Sequence, residues 1–236
     1  MCGRFTLTKT SKEIAQAFSV SEPPSWQPKY NIVPTDWVLA LVKSGSDRPW
    51  QLRYLRWGLI PPWAKDNKIA SKLINARAET LIEKPSFRQA LRSRRCLILA
   101  DGFYEWRKEV SGHRHPYYFH LEGRPIFTFA GLWETWQPKQ GEVISSCTII
   151  TTPANAQMQP YHHRMPVLLG EEAYHDWLDP TKTKPDEILP LLQDQTKLRM
   201  DCYPVGLQVN SPAHDEPDCI KPLPSELEET AIAFLP

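Results

Sequence analysis

Prolines divide this chain into many short segments. The 23 prolines are spread over 236 residues and are not collected in one linker. A proline has no amide hydrogen and a fixed φ, so it is excluded from helix interiors and from central strands. We therefore predict many short helices and strands. The sequence shows no internal repeat, no low-complexity tract and no convincing domain boundary.

Apolar runs predict that most of these elements are strands. The predicted strands cover residues 5–8, 37–42, 52–57, 96–99, 103–107, 117–121, 126–129, 144–151 and 167–169. Thr10 and Glu13 form a capping box that predicts a helix ending at Phe18. Residues 78–92, a stretch that Pro85 could break, and residues 171–178 and 186–193 are further helix candidates. The expected fold class is α+β: a single domain with mainly antiparallel strands in a distorted barrel-like sheet and several short helices. We expect this domain to span residues 1–220, followed by an acidic, proline-interrupted tail over 221–236.

Composition narrows the function classes. The net charge of +1 gives no global field for nucleic acid, so any DNA contact needs a local basic groove. No apolar run approaches the roughly 20 residues of a membrane span, and Lys9, Lys12 and Glu13 interrupt any signal-peptide pattern. The five cysteines are odd in number, widely spaced and free of C-x-x-C. We therefore expect a reducing, cytoplasmic location, with no disulfide framework and no zinc finger.

The second residue of the chain is a cysteine. Initiator Met1 is normally removed before a small residue, which would make Cys2 the true N-terminus. An N-terminal cysteine carries an α-amine, with a pKa of about 8, beside a thiol, with a pKa of about 8.5. Together they can capture an aldehyde, first as an imine and then as a thiazolidine ring. The alternative is that residue 2 is an incidental small residue.

Three other segments place polar residues in strand-like or turn-like surroundings. Asn75 either caps a helix or orients a reacting group while Arg77 grips a phosphate. Glu105, between two aromatics, is either a desolvated acid with a raised pKa or an exposed residue, and its local sequence favours exposure. His162 and His163 are adjacent and rarely could both reach one metal ion, so proton donation by a histidine is the more economical hypothesis.

The four segments occur in an order that resembles a known family. Met-Cys-Gly-Arg-Phe, Asn-Ala-Arg-Ala-Glu, Gly-Phe-Tyr-Glu-Trp and His-x-Arg-Met-Pro are similar to motifs of the SOS-response-associated peptidase (SRAP) family, up to about residue 220. The resemblance implies the SRAP fold. It also implies a protein that senses abasic sites in single-stranded DNA and traps them as a thiazolidine DNA–protein crosslink, after self-removal of Met1. The same groups could reverse the crosslink or cleave the strand by β-elimination.

The resemblance also implies roles for individual residues. Cys2 is the nucleophile, His162 protonates the sugar ring oxygen, Glu105 takes a proton from the amine or thiol, and Asn75 orients the reactants. Apart from the resemblance, Arg4, Arg77 and Arg164 each neighbour one of these positions, so we expect them to hold phosphates, and Pro34 and Trp63 could wedge against flanking bases. The basic run of Arg88, Arg92, Arg94 and Arg95 either extends this groove or is a solvated helix face.

No metal or cofactor is implied. The expected partner is single-stranded DNA carrying an abasic site, bound by a monomer at the nucleoid or replication fork. Two features depart from the family pattern: His163 stands where other members can carry an acid, and the loop at 61–64 offers a single aromatic residue.

Three other functions fit parts of the sequence. Glutamine amidotransferases also begin with Met-Cys-Gly, but they usually continue with an aliphatic residue where this chain has Arg4. A non-catalytic single-strand-binding module would leave Cys2 idle. A cysteine peptidase acting in trans would need a peptide groove, on which the sequence is silent.

Overall fold

The computed structural model describes residues 2–23, 25–45, 48–109, 112–193 and 199–224. The strands are β1 (Phe5–Leu7), β2 (Lys29–Ile32), β3 (Trp37–Val42), β4 (Gln51–Trp57), β5 (Asn75–Arg77), β6 (Arg95–Ala100), β7 (Gly102–Lys108), β8 (Arg114–Leu121), β9 (Phe127–Trp136), β10 (Ile144–Pro153), β11 (Arg164–Pro166), β12 (Leu168–Leu169) and β13 (Met200–Pro204). The α-helices are α1 (Ser11–Phe18), α2 (Arg88–Ser93), α3 (Glu171–Leu178) and α4 (Pro185–Ile188). Short 3-10 helices cover Asn67–Lys72, Ala78–Thr80, Leu189–Leu192, Leu207–Asn210 and Pro217–Ile220.

Five strands close into a barrel. They follow one another as β10, β4, β3, β6 and β9, and the pairing of β9 with β10 completes the ring. The β4–β10 pair is parallel, whereas the other four pairs are antiparallel. Buried apolar side chains from all five strands form the core. The predicted α+β class with a barrel-like, mainly antiparallel sheet is confirmed.

A second sheet packs against the barrel through β1. Its strand order is β13-β8-β7-β1-β2. The Phe5 ring centroid lies 5.0 Å from that of Trp57 and 5.5 Å from that of Phe129, both in edge-on contacts. The chain's first strand is therefore fastened directly to the barrel core, which fixes the position of the residues just before it.

Several predicted elements agree with the structure and one does not. Thr10 and Glu13 form the predicted capping box and α1 ends at Phe18. The predicted helix over 78–92 is wrong: this stretch begins with a single 3-10 turn at Ala78–Thr80, and α-helix is confined to Arg88–Ser93. The preceding residues Asn75–Arg77 pair with β10 as a strand, and Pro85 blocks helix propagation. Strands β2, β5, β11 and β13 were not predicted, because runs of three to five residues carry too little periodicity.

The end of the described chain remains attached to the domain. The Leu223 amide donates to the Pro204 carbonyl at 3.0 Å, and Pro222 bridges to Val205. Most of the predicted tail, residues 225–236, lies outside the described residues, so the boundary at 220 stays a prediction. Among the described residues, no helix is both long enough and apolar enough to cross a membrane.

Candidate active site

The register of β1 against β7 brings the N-terminus to Glu105. Phe5 pairs with Phe103 in an antiparallel ladder, and the Tyr104 amide donates to the Arg4 carbonyl at 3.0 Å. Because the strands run in opposite directions, residues before Arg4 continue alongside residues after Tyr104. Cys2 therefore lies beside Glu105.

Cys2 is buried and is held through its backbone. Its thiol points to the Arg4 carbonyl, with an Sγ–O distance of 3.9 Å. The Asn75 side-chain amide donates to the Cys2 carbonyl at 2.9 Å. Asn75 lies in strand β5, so its alternative interpretation as a helix N-cap is wrong. Its contact instead joins β5 to the reactive end of the chain.

Glu105 is buried, with a relative exposure of 4%. The exposed position favoured by the local sequence is therefore wrong, because the N-terminal segment covers this face of β7. Burial raises the pKa of Glu105 to about 7. Burial, followed by the nearby Glu105 carboxylate, raises the pKa of the Cys2 thiol well above its usual range. At neutral pH Cys2 is thus a thiol, so a proton acceptor is needed before the sulfur can attack.

Strand β10 gathers the other side of the site. Its last residues pair with β5 in parallel and with β11 in antiparallel orientation, so Thr151 lies between Arg77 and Pro166. The Ala154 amide donates to the His163 carbonyl at 3.1 Å. Residues 154–163 therefore form a closed turn that returns the chain to β11 and presents His162.

His162 Nδ1 lies between two backbone groups of its own turn. It is 2.9 Å from the Arg164 amide nitrogen, from which it accepts when the ring proton is on Nε2, and 3.2 Å from the Arg164 carbonyl oxygen, to which it donates in the other tautomer. Burial, reinforced by nearby positive charge that includes Arg114, lowers the pKa of His162 to about 4. His163 stacks on His162 with a ring-centroid distance of 4.3 Å. At pH 7 His162 is therefore neutral, with one ring N–H able to donate.

The three predicted phosphate-binding arginines differ in whether their guanidinium groups already have hydrogen-bond partners. Arg77 is exposed. Arg4 donates to the Asn31 side chain at 2.9 Å and to the Val209 carbonyl at 2.6 Å, and is half-buried. Arg164 is buried and holds Glu79 through two hydrogen bonds of 2.6 and 3.0 Å. A phosphate could reach Arg77 freely, whereas at Arg4 and Arg164 it would meet guanidinium groups that already have partners.

The predicted base-wedging residues lie on the loops before β3 and after β4. Trp63 is 58% exposed, and Pro34 is half-buried beside Thr35, which has a φ of 81°. Trp37, not predicted as a contact, is also half exposed at the start of β3. These aromatic faces are open to solvent and available for stacking.

The proposed basic run does not form one surface. Arg94 binds Glu134 at 2.5 Å. Arg95 is buried and donates to backbone carbonyls, among them that of Trp177 at 2.5 Å. Of the four arginines, only Arg88 and Arg92, both on α2, are exposed. The extension of the groove through all four arginines is therefore wrong.

Three residues of this site were not singled out from the sequence. Glu79 holds Arg164, Tyr161 packs edge-on against Tyr117 at 4.9 Å next to His162, and Arg114 places positive charge near both Glu105 and His162. Glu79 stands within the Asn-Ala-Arg-Ala-Glu motif, and that motif was the available signal. The other two depend on strand pairing and left no local pattern.

Comparison with known proteins agrees with this arrangement. The family model described as SOS response associated peptidase (SRAP) matches residues 1–212. The chain belongs to the SRAP family. The protein described as abasic site processing protein YoqW of Bacillus subtilis is 45% identical over 224 residues, covering 94% of this chain and 99% of the relative.

Animal relatives and a solved structure extend the match. The protein described as abasic site processing protein HMCES of Gallus gallus is 34% identical over 205 residues, which are 75% of this chain and 60% of that protein. A crystal structure of a protein from Bacteroides thetaiotaomicron superposes with a TM-score of 0.83 at 28% identity, covering 94% of this chain and all of that one. The fold of this chain is thus shared by a solved structure at 28% identity.

The SRAP site of this chain links three of the four predicted catalytic residues directly. Cys2, Asn75 and Glu105 are linked by a hydrogen bond and by an electrostatic effect. His162 is connected to them through Tyr161 and Tyr117, since Tyr117 lies opposite Glu105 in the β7–β8 ladder. Their catalytic roles stay predictions. The arrangement offers a nucleophile, a carboxyl group that titrates near pH 7, and a neutral imidazole donor.

Proposed function

We propose that this protein captures ring-opened abasic sites in single-stranded DNA as a thiazolidine on Cys2. The relatives named above are abasic site processing proteins. The observation that carries the proposal is the environment of Cys2: Asn75 holds its carbonyl, and its thiol lies beside a buried carboxyl group whose pKa is about 7. A group with this pKa can both accept and donate a proton at neutral pH.

The reaction proceeds as a condensation followed by an addition. The Cys2 amine adds to the C1′ aldehyde of the open sugar, and the resulting carbinolamine loses water to give an imine. The thiol sulfur then adds to the imine carbon, and its proton passes to the imine nitrogen. One water leaves overall, and no oxidant or reductant is needed. Asn75 holds Cys2 in position, which lowers the entropic cost of reaching the attacking geometry.

The two titrating groups divide the proton transfers. Glu105 in its ionised form accepts the thiol or ammonium proton, and in its protonated form it helps to expel water from the carbinolamine. Neutral His162 donates a ring N–H hydrogen bond that polarises the sugar ring oxygen during opening. Complete proton transfer from His162 requires the imidazolium form, which is scarce at pH 7 because the pKa of His162 is about 4. Glu105 is therefore the main group that accepts and donates protons.

Crosslinking is tested on a denaturing gel. The Met1-free protein is incubated with a single-stranded oligonucleotide carrying one abasic site, beside Cys2→Ala and a matched cysteine control, Cys202→Ala. We expect a heat-stable shifted band for the wild type and the control and none for Cys2→Ala. Equal bands with Cys2→Ala would refute the thiazolidine. DNA binding without any covalent product would favour a passive binding module, and glutaminase activity would favour an amidotransferase.

The same groups support two subsidiary activities. Reprotonation of the ring nitrogen would reverse the crosslink, and proton removal from C2′ of the imine would cleave the strand by β-elimination. Self-removal of Met1, a residue outside those described, would use Cys2 and Glu105. Intact-mass analysis of wild type and Glu105→Gln tests the last of these: if both lack Met1, Glu105 is not required for its removal.

A further inference from the structure

The outer ends of β7 and β8 carry a cluster of positive charge. Arg107 pairs with His115 and Lys108 pairs with Arg114 in the antiparallel ladder. Arg107, Lys108 and Arg114 are all exposed. We call these three cationic residues the basic arm. Among the described residues, none of the three forms a salt bridge, in contrast to Arg94 and Arg164, whose guanidinium groups are held by Glu134 and Glu79.

Arg107 continues the face of β7 that carries Glu105. It follows Glu105 by two residues on the same strand, so both side chains leave β7 on one face, about 7 Å apart along the strand. Lys108 and Arg114, which pair with each other, leave the other face of the two strands at the same end. Arg107 hydrogen-bonds the Tyr117 hydroxyl, and Tyr117 lies directly opposite Glu105. The side of the site next to Tyr117 thus ends in an exposed cation.

The positive charge of Arg114 affects the pKa of two residues of the site. Arg114 lowers the pKa of Glu105, opposing the larger effect of burial, and it also contributes to the lowered pKa of His162. In a chain with a net charge of +1, DNA binding has to use such local clusters.

We propose that the basic arm binds the phosphate backbone of the DNA strand on one side of the captured nucleotide. This inference rests on the proposed function and deepens it by giving the bound strand a direction along β7 and β8. Arg77, on β5, lies across the site from the arm and would serve the other side. The strand would then run from β5, past Cys2, to the ends of β7 and β8.

Non-covalent affinity tests the arm separately from the chemistry. The ligand is a single-stranded oligonucleotide with a tetrahydrofuran abasic analogue, which has no aldehyde and cannot crosslink. We expect Arg107→Glu/Arg114→Glu to weaken binding at least tenfold at low salt. The slope of log K against log [salt] should become shallower by about 1.4, the value for two single-strand phosphate contacts.

Two matched variants control for charge and position. Arg107→Lys/Arg114→Lys keeps the charge and should retain the wild-type slope. Arg88→Glu/Arg92→Glu makes the same charge change on the exposed face of α2 and should alter affinity less than twofold. An equal loss in the α2 variant would overturn the inference, because the effect would then be general electrostatics. All these side chains are exposed, so thermal unfolding should be nearly unchanged.

Shortening the oligonucleotide from either end tests direction. The weakened binding of Arg107→Glu/Arg114→Glu should disappear when the nucleotides on one side of the lesion are removed. It should persist when the nucleotides on the other side are removed. A defect that survives both truncations overturns the directional contact. If the wild type neither binds nor crosslinks, the proposed function fails. If the wild type crosslinks and the arm variant binds normally, only the arm inference fails.

Discussion

Strand β10 runs through two regions of opposite chemistry. Its middle, with Cys147 and Ile149, lies in the closed barrel, where the neighbouring side chains are apolar and buried. Its end, at Thr151, lies between β5 and β11, where Arg164 donates to the Thr151 carbonyl at 2.7 Å. Pairings between strands close the barrel. The site, in contrast, consists of polar groups whose pKa values burial has shifted from their ordinary ranges. The first region provides stability, and the second costs stability in order to provide reactivity.

The largest expected effect is in the barrel. Phe129→Ala removes a ring that packs against Phe5 and Phe127 and should lower the free energy of unfolding by about 3–5 kcal/mol. Urea unfolding measures this loss. Trp63→Ala, at an exposed ring, is the matched control and should change stability by less than about 0.5 kcal/mol. A small loss for Phe129→Ala would show that the core is not the stabilising region.

Glu105→Gln should separate reactivity from stability. We expect crosslinking to slow by about 10²–10⁴-fold, the usual contribution of a general acid–base group, with DNA affinity near that of the wild type. The folded-state pKa of Glu105, about 7, lies above its unfolded value. The protonated carboxyl group therefore contributes its full stability below the unfolded pKa of Glu105. This contribution is lost as the pH rises through the folded-state pKa of about 7.

Unfolding of Glu105→Gln at two pH values tests this linkage. At pH 8 the variant should be more stable than the wild type by up to about 3 kcal/mol, and near pH 4 the two should be similar. An unchanged crosslinking rate would remove Glu105 from the mechanism. Equal stability at both pH values would show that its carboxyl group is not desolvated.

Glu79→Gln should have a smaller effect at the edge of the site. Arg164 lowers the pKa of Glu79 through their hydrogen bonds, so this pair stabilises the fold above the unfolded pKa of Glu79 and is lost on acidification. Because the Glu79 side chain is 46% exposed, we expect a loss of only about 1 kcal/mol at pH 7. Thermal unfolding measures it, with Glu83→Gln as an exposed control on the same segment.

Arg114→Gln should give the smallest change. Arg114 lowers the pKa of both Glu105 and His162, so its removal should move the pH profile of the crosslinking rate to higher pH. The shift should be less than about one pH unit, because an exposed charge is screened by salt. Lys108→Gln is the control, and a downward shift in Arg114→Gln would contradict the electrostatic coupling.

The sequence predicted strongly patterned elements well and short ones poorly. Residues 37–42 and 144–151 were predicted as strands because their apolar runs are long enough to show a pattern. The strand at Asn75–Arg77 is not predicted, since these three residues form a strand only by pairing with β10. Glu105 was expected to be exposed, because nothing within Gly-Phe-Tyr-Glu-Trp tells that the N-terminal segment will cover it.

The sequence by itself determined the family, the α+β class and the identity of Cys2, Asn75, Glu105 and His162 as candidates, because these follow from motif order and local periodicity. The tertiary structure decided which arginines are exposed, which backbone groups His162 contacts and in which direction the pKa of Glu105 is shifted. Those properties depend on burial and on neighbours distant in the chain, such as the approach of the N-terminus to β7. Local sequence carries no record of such neighbours, since strand pairing alone brings them together.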